Sequence, residues 1–469
     1  MPAVIDKDVL IYKGSNLLRQ RLLLSTLSGR SIKVEEIRST HDDPGLREYE
    51  VNLIRLLDKI TNGTRVELSE TGTSLFFQPG ILIGGQVTHS CSTQRGIGYY
   101  LEVLLALGPF CKEPLNAVLQ GVTHHHLDVS VDKVKAAALP VLLKFILVDD
   151  GLELKVVRRG APPLGGGEVV FKCPVRRHLR PLQWTKWGLV KRIRGVVYAL
   201  RVSPTMANRV VDAAKGVMLK FLPDVYINTD QCRGANAGKS PAFGISLVAE
   251  TNEKTFYCAE AKSVEVMLKF LPDVYINTDQ CRGANAGKSP AFGISLVAET
   301  NEKTFYCAEA PSLPEELGRE CALRLLDEVR RAGAADSAFQ WLLALWMALG
   351  QKDVSECVVS DMIHFEFFSL RACFTIFKPV SRPPEYDPTL HKFSRHEQYK
   401  TVFPQVGPLS DYTIKFLQHL KEFFGVMFKL EVLDEDEDEG SDGEDQLAVH
   451  KVKMTCVGIG YVNISKRTL

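Results

Sequence analysis

Chemistry at a protein surface needs nucleophiles, acid–base pairs, metal ligands or phosphate-holding turns, and this sequence offers a few candidates for each. Gly234-Ala235-Asn236-Ala237-Gly238-Lys239-Ser240 recurs at Gly283–Ser289. A phosphate-cradling loop needs four residues between its first glycine and Gly-Lys-Ser, followed by a helix. Here the spacer is three and Phe-Gly-Ile-Ser-Leu-Val-Ala-Glu follows, so a basic turn between strands is expected. His124-His125-His126 are consecutive, and neighbouring side chains diverge in strands and helices alike, so no metal site is expected. Cys232 and Cys258 read as small buried hydrophobes. The longest unusual string is Arg158-Arg159-Gly160-Ala161-Pro162-Pro163-Leu164-Gly165-Gly166-Gly167-Glu168-Val169. Its glycines imply positive φ or close backbone approach.

Charge is segregated although the formal net value is only +1. From Val169 to Val211 there is no acid but ten cations, Lys191, Arg192 and Arg194 among them. An all-positive surface of that kind suits a phosphate backbone. Asp434 to Asp445 holds nine acids in twelve positions and reads as a solvated loop.

The elements that must position these residues come from a chain of 469 residues, 45% hydrophobic and 24% charged, long enough for two or three domains. No apolar run approaches the ~20 residues that cross a bilayer, so no membrane association is expected. The N-terminus lacks a secretory pattern. Eleven scattered cysteines without Cys-x-x-Cys fit a reducing compartment. Helical spacing appears at Asn16–Leu27, Tyr49–Ile60, Ile97–Leu107, Val131–Ile146 (with Pro140 as a break or bend), Met206–Leu222 and Glu315–Arg331. Strands are expected at Asn116–Val122, Leu152–Val157, Glu168–Cys173 and Gly195–Val202, and a hairpin around Glu70–Thr73. The chain is therefore α/β or α+β. Val217–Ala261 recurs without one change at Val266–Ala310, which reads as a duplication with one slot in the fold. Residues 358–405, rich in proline, read as an insertion.

Arg159 through Val169 matches, position by position, the signature of the RNA 3′-terminal phosphate cyclase family. Asp43-Pro44-Gly45-Leu46-Arg47 resembles that family's Pro-Gly-Leu-Arg turn, and Pro79–Gly85 its Pro-Gly-x-x-x-Gly-Gly. The resemblance implies an α+β fold: a large domain of three repeated units, each with two helices on a four-stranded sheet, and a smaller inserted α/β domain. The expected division is 1–185 for the first part of the large domain, 186–333 for the insert carrying the duplication, and 334–469 for the third unit. The enzymes of the family take AMP from ATP on a histidine near the C-terminus. In this chain Leu409 or Pro408 stands at that position, and His396 and His419 are out of register. The first loop departs as well. Tyr12-Lys13-Gly14-Ser15-Asn16 replaces a glycine-rich Glu-Gly-Gly-Gly-Gln, with Lys13, Ser15 and Asn16 expected to fill space left for phosphate, and Glu50 replaces a histidine.

A chain without its nucleophile resembles the cyclase-like branch, which implies no cyclase activity and no cofactor. It further implies a nuclear, nucleolar factor of the small-subunit processome, acting in pre-rRNA processing and 18S rRNA maturation. The implied partners are pre-rRNA, a large GTPase and other processome proteins. Candidate phosphate contacts are Arg19, Arg47, Arg95, Arg158, Arg159, Lys191, Arg192 and Arg194, beside the glycine turn of Gly160, Gly165, Gly166 and Gly167. Two alternatives stay open: an endoribonuclease using His419 and Lys421 on the helix Tyr412–Phe424, and an active cyclase with a displaced histidine.

Overall fold

The computed structural model describes residues 9–147, 150–186, 188–262, 294–299, 305–310, 314–331, 333–360, 411–433 and 451–463. The segments 361–410 and 434–450 lie outside them, and with them Pro408, Leu409, His396, nearly all of the proline-rich insertion and the acidic run.

The first sheet contains β1 (Leu10–Lys13), β2 (Ile32–Glu35), β4 (Arg65–Leu68) and β5 (Leu75–Gln78), with helices α1 (Leu18–Ser28) and α2 (Glu48–Ile60). The second contains β7 (Gly84–Ser90), β8 (Glu113–Gly121), β9 (Glu153–Arg158) and β10 (Gly167–Cys173), with α3 (Ile97–Leu107) and α4 (Leu139–Ile146). A short pair, β3 (Thr61–Asn62) and β6 (Ile81–Leu82), lies between them in sequence. The third sheet contains β11 (Gln183–Trp184), β18 (Val354–Ser360), β19 (Lys429–Leu433) and β20 (Lys451–Val457), with α7 (Gln340–Leu349) and α8 (Asp411–Phe424). In all three the spatial order is first, second, fourth, third, and the first two strands run parallel. The fourth sheet, ordered β13-β12-β14-β15, is built from β12 (Val190–Leu200), β13 (Val225–Cys232), β14 (Ala242–Thr251) and β15 (Phe256–Lys262). Helices α5 (Pro204–Met218) and α6 (Pro314–Arg331) cover one of its faces. This is an α+β arrangement.

Burial explains the helix patterns. Every residue of α3 and of α7 is buried, Glu102 and Gln340 included, and the two mainly apolar helices form the centre of one core shared by the first three sheets. The helices over the fourth sheet are amphipathic and close a separate core around Val197, Ile245, Leu247 and Cys321. Pro140 does act on the expected helix from Val131 to Ile146. The chain makes one turn at Val131–Lys133, widens through a π turn at Val134–Ala138, and restarts as α4 with Pro140 in its first turn. A proline has no N–H to give the preceding turn, and a first-turn position asks for none. The strand expected at Gly195 begins five residues earlier, at Val190: Val190, Arg192 and Arg194 take ladder positions, and Lys191 is passed over at a register shift.

The duplication resolves clearly. All three strands that β12 needs come from the first copy. The described part of the second copy, β16 (Ile294–Glu299) and β17 (Phe305–Ala310), pairs with itself as a two-stranded sheet.

Two turns lock the second sheet to the fourth. The glycine turn between β9 and β10 meets the turn between β13 and β14, where Gly234–Asn236 is a single 3-10 turn and no long helix follows. Lys239 N–H donates to the Gly165 carbonyl at 3.0 Å, and Leu164 N–H to Ser240 Oγ at 3.1 Å. A Cβ on Gly238 would sit 2.6 Å from the Gly165 carbonyl oxygen, and one on Gly160 would sit 2.3 Å from Gly167 N. Gly165 and Gly166 have φ of +63° and +84°. Both reasons for glycine apply in this one turn.

Beneath it, the Arg159 guanidinium bridges the two sheets. Nε donates to Asp230 of β13 at 2.6 Å, while the other two nitrogens donate to Asp132 at 2.5 and 3.2 Å. His124 lies 2.9 Å from the same Asp132 carboxylate, and its ring is 4.1 Å from that of Tyr198. Burial alone would raise the Asp132 pKa, but Arg159 and His124 outweigh it and hold the carboxyl ionised, below the ordinary range.

Two outcomes follow. Deleting Val217–Glu265 leaves one complete set of strands with its natural neighbours, because the copies are identical. The thermal midpoint should stay level or rise; a large fall would mean that both copies support the fold. Arg159→Ala should cost about 3 kcal/mol in denaturant unfolding, since it strands a largely buried carboxylate. A loss within error would deny the bridge its structural role.

Candidate functional site

Where α1, α3 and the start of α2 meet α8, arginines and tyrosines alternate. Arg19 on α1 donates to the Tyr412 hydroxyl at 3.0 Å and to the Tyr99 carbonyl at 3.3 Å, pairs with Glu102, and lies 4.8 Å from the Tyr99 ring centre. Arg95, just before α3, grips Asp128 through Nε at 2.9 and 3.0 Å and stacks 4.4 Å from Tyr99 and 5.1 Å from Tyr49. Arg38 makes a two-pronged contact with Glu50 at 2.7 and 2.8 Å. Arg47 pairs with Asp43, and its backbone N–H donates to Glu50 at 2.8 Å. Each of these four arginines faces a carboxylate.

The pairs differ in how firmly they hold. The Glu102 and Asp128 side chains are only 6% and 2% exposed. Burial opposes the charge on Arg19, yet Glu102 and its tyrosine neighbours outweigh that and keep the guanidinium charged. Asp128 is likewise held below the usual carboxylate range: burial works upward, and Arg95 with the Gly96 N–H works more strongly downward. A polyphosphate at this cluster must displace a buried carboxylate from Arg19, Arg38 or Arg95, whereas the Asp43 partner of Arg47 is exposed.

The first loop is tied back too, but not as expected. Lys13 does not fill the cleft; it points to solvent and pairs with Glu36 at 2.7 Å. Tyr12 OH donates to Glu422 of α8 at 2.8 Å, and the Gly14 carbonyl accepts from Arg21 at 3.0 Å. Gly14 keeps open space around it.

The other sequence candidates scatter. Arg158 pairs across strands with Glu168 at 2.8 Å on the second sheet, and Arg159 is the interior bridge described above. The Gly160–Gly167 turn packs on another turn. Lys191, Arg192 and Arg194 lie on β12 of the fourth sheet, where Arg192 reaches Glu250 and Arg194 reaches Asp224, both at 2.7 Å, and Lys191 is exposed. His419 and Lys421 do not form an acid–base pair. Two residues apart on a helix they diverge by ~200°. His419 is buried, 3.1 Å from Gln20 Oε1, with its pKa lowered to about 4 by burial and by Arg21, while Lys421 is exposed. No group of three or more potential metal ligands exists among the described residues, and the three histidines face Asp132, Asp128 and one another. Arg38, Tyr49, Tyr99 and Asp128 were not legible as site residues. No periodicity marks them; Arg19, Arg47 and Arg95, with the histidine-to-glutamate exchange at Glu50, were what pointed at this corner.

The comparisons with known proteins agree with this architecture. The family model described as RNA 3′-terminal phosphate cyclase matches residues 10–430. A Drosophila melanogaster protein named probable RNA 3′-terminal phosphate cyclase-like protein is 48% identical over 470 aligned residues, covering all of both chains. The Homo sapiens RNA 3′-terminal phosphate cyclase-like protein is 46% identical over 457, covering 97% of each. A Schizosaccharomyces pombe protein named rRNA processing protein rcl1 is 39% identical over 352, covering 75% of this chain and 85% of its own. With the signature at Arg159–Val169 and similarity of this extent, the chain belongs to the RNA 3′-terminal phosphate cyclase family.

Proposed function

We propose that this protein serves rRNA processing as a binding factor and does not cyclise RNA ends. The observation that carries the reading is the charge matching of the cleft. Arg19, Arg38, Arg47 and Arg95 each face a carboxylate, and Glu50 occupies the position where the family's enzymes hold a histidine. An ATP site needs unmatched donors for three phosphates. Leu409 or Pro408 in place of the nucleophile points the same way, because neither carries a nitrogen able to hold AMP.

The shared strand order of the first three sheets supports a large domain of three repeated units, with the fourth sheet as the inserted small domain over about 186–333. The name of the fission-yeast relative supports work on pre-rRNA, and hence a nuclear, nucleolar setting in the small-subunit processome. A large GTPase and other processome proteins are the partners this reading implies. The endoribonuclease alternative loses its main support, since His419 is buried against Gln20 and faces away from Lys421.

Incubating the native chain with ATP labelled on the α-phosphate and an RNA ending in 3′-phosphate should give no labelled protein and no cyclic phosphate. Leu409→His should stay equally inert. Robust labelling of the native chain would overturn the reading. Labelling of the variant alone would show a working pocket that had lost only its nucleophile.

A further inference from the structure

Among the described residues the exposed aromatic side chains are Phe221 and Tyr226, 66% and 58% accessible, and they lie at one end of the fourth sheet. Phe221 sits in the turn that joins α5 to β13. Tyr226 sits on edge strand β13, directly opposite Arg194 of β12. The two strands meet there, with Ile193 N–H donating to the Asp224 carbonyl at 2.9 Å. Near this end stand Lys191, two residues before the β12–β13 register begins, and Lys220, both exposed and neither in a salt bridge among the described residues. Lys191 and Arg194 belong to the acid-free stretch, while Lys220, Phe221 and Tyr226 follow it in the chain.

We propose that single-stranded RNA lies across this end of the sheet, with bases stacked on Tyr226 and Phe221 and phosphates met by Lys191, Lys220 and Arg194. The proposal rests on the reading that the protein works on RNA, and it names where and in what form the RNA binds. Flat exposed rings beside cations are what unpaired bases select, since a duplex offers no base face to stack on. Cross-strand neighbours are about 5 Å apart, so a base on Tyr226 brings its phosphate within reach of Arg194. Arg194 can turn to it, because its partner Asp224 is itself half exposed and such a pair contributes little. The cleft differs on this point: Arg19 and Arg95 hold carboxylates that have no water to return to. Leu189 and Leu219, 81% and 53% exposed, extend the apolar surface at the same end.

The duplication supplies an internal control, because Phe270 and Tyr275 repeat Phe221 and Tyr226 in the second copy. Binding of a short fluorescent oligouridine to the full chain is followed by anisotropy over a range of salt. Phe221→Ser with Tyr226→Ser should weaken binding about tenfold or more. Phe270→Ser with Tyr275→Ser should leave it unchanged. Lys191→Ala should lower the slope of log affinity against log salt by about 0.7. If the native chain binds and the first-copy variant binds equally well, or if the second-copy variant weakens it as much, the location is wrong while the RNA reading stands. If the native chain binds no RNA, the functional reading fails and this proposal with it. An acidic protein segment as the true occupant would appear as the first of these outcomes.

Discussion

A guanidinium taken out of water is held most firmly by a carboxylate, and most of what is distinctive here follows from that pairing. Arg159 ties the second unit to the fourth sheet because it pairs with both Asp132 and Asp230 of β13. Arg19, Arg38 and Arg95 are buried nearly as deeply, and each has its own counter-charge. Removing either partner leaves an uncompensated charge, so the pairs hold their geometry and resist exchange. A cleft lined this way is rich in arginine and yet close to neutral. Counting basic residues there overstates what it can attract.

The same logic separates two uses of glycine. In the Gly160–Gly167 turn the missing side chains admit the Gly238 loop, carbonyl oxygen against Cα, and the turn is a joint between sheets. At Gly14 there is open space. A signature of this kind has a packing role whatever the chemistry beside it. On the fourth sheet, Lys191 of β12 and Lys220 in the turn before β13 reach solvent outside any salt bridge among the described residues.

The sequence made the elements legible where burial is one-sided or complete. Ile97–Leu107 and the hairpin flanking Gly72 came out at their true positions, because a run of apolar residues or a strict alternation has few other solutions. The turn character of Gly234–Ser240 followed from spacing alone. What could not be read was pairing. Nothing in the order of residues says that Arg159 meets an aspartate 71 positions away, or Arg19 a glutamate 83 away. For that reason the arginines looked like free phosphate contacts, and Lys191, Arg192 and Arg194 looked like part of the same surface. His419 failed for a related reason: a helix written as a string of residues does not reveal that Gln20 closes over its polar side.

On the proposed reading, carboxylates and not an absence of arginines keep polyphosphate away from Arg19, Arg38 and Arg95. Calorimetric titration of inorganic tripolyphosphate into the native chain and into Glu50→Gln tests it most directly, with circular dichroism confirming that both are folded. Weak binding to the native chain and roughly tenfold tighter binding to the variant is the predicted result, an unmatched Arg38 being worth about as much as one charge-assisted contact. Tight binding to the native chain, or identical weak binding to both, would contradict the account.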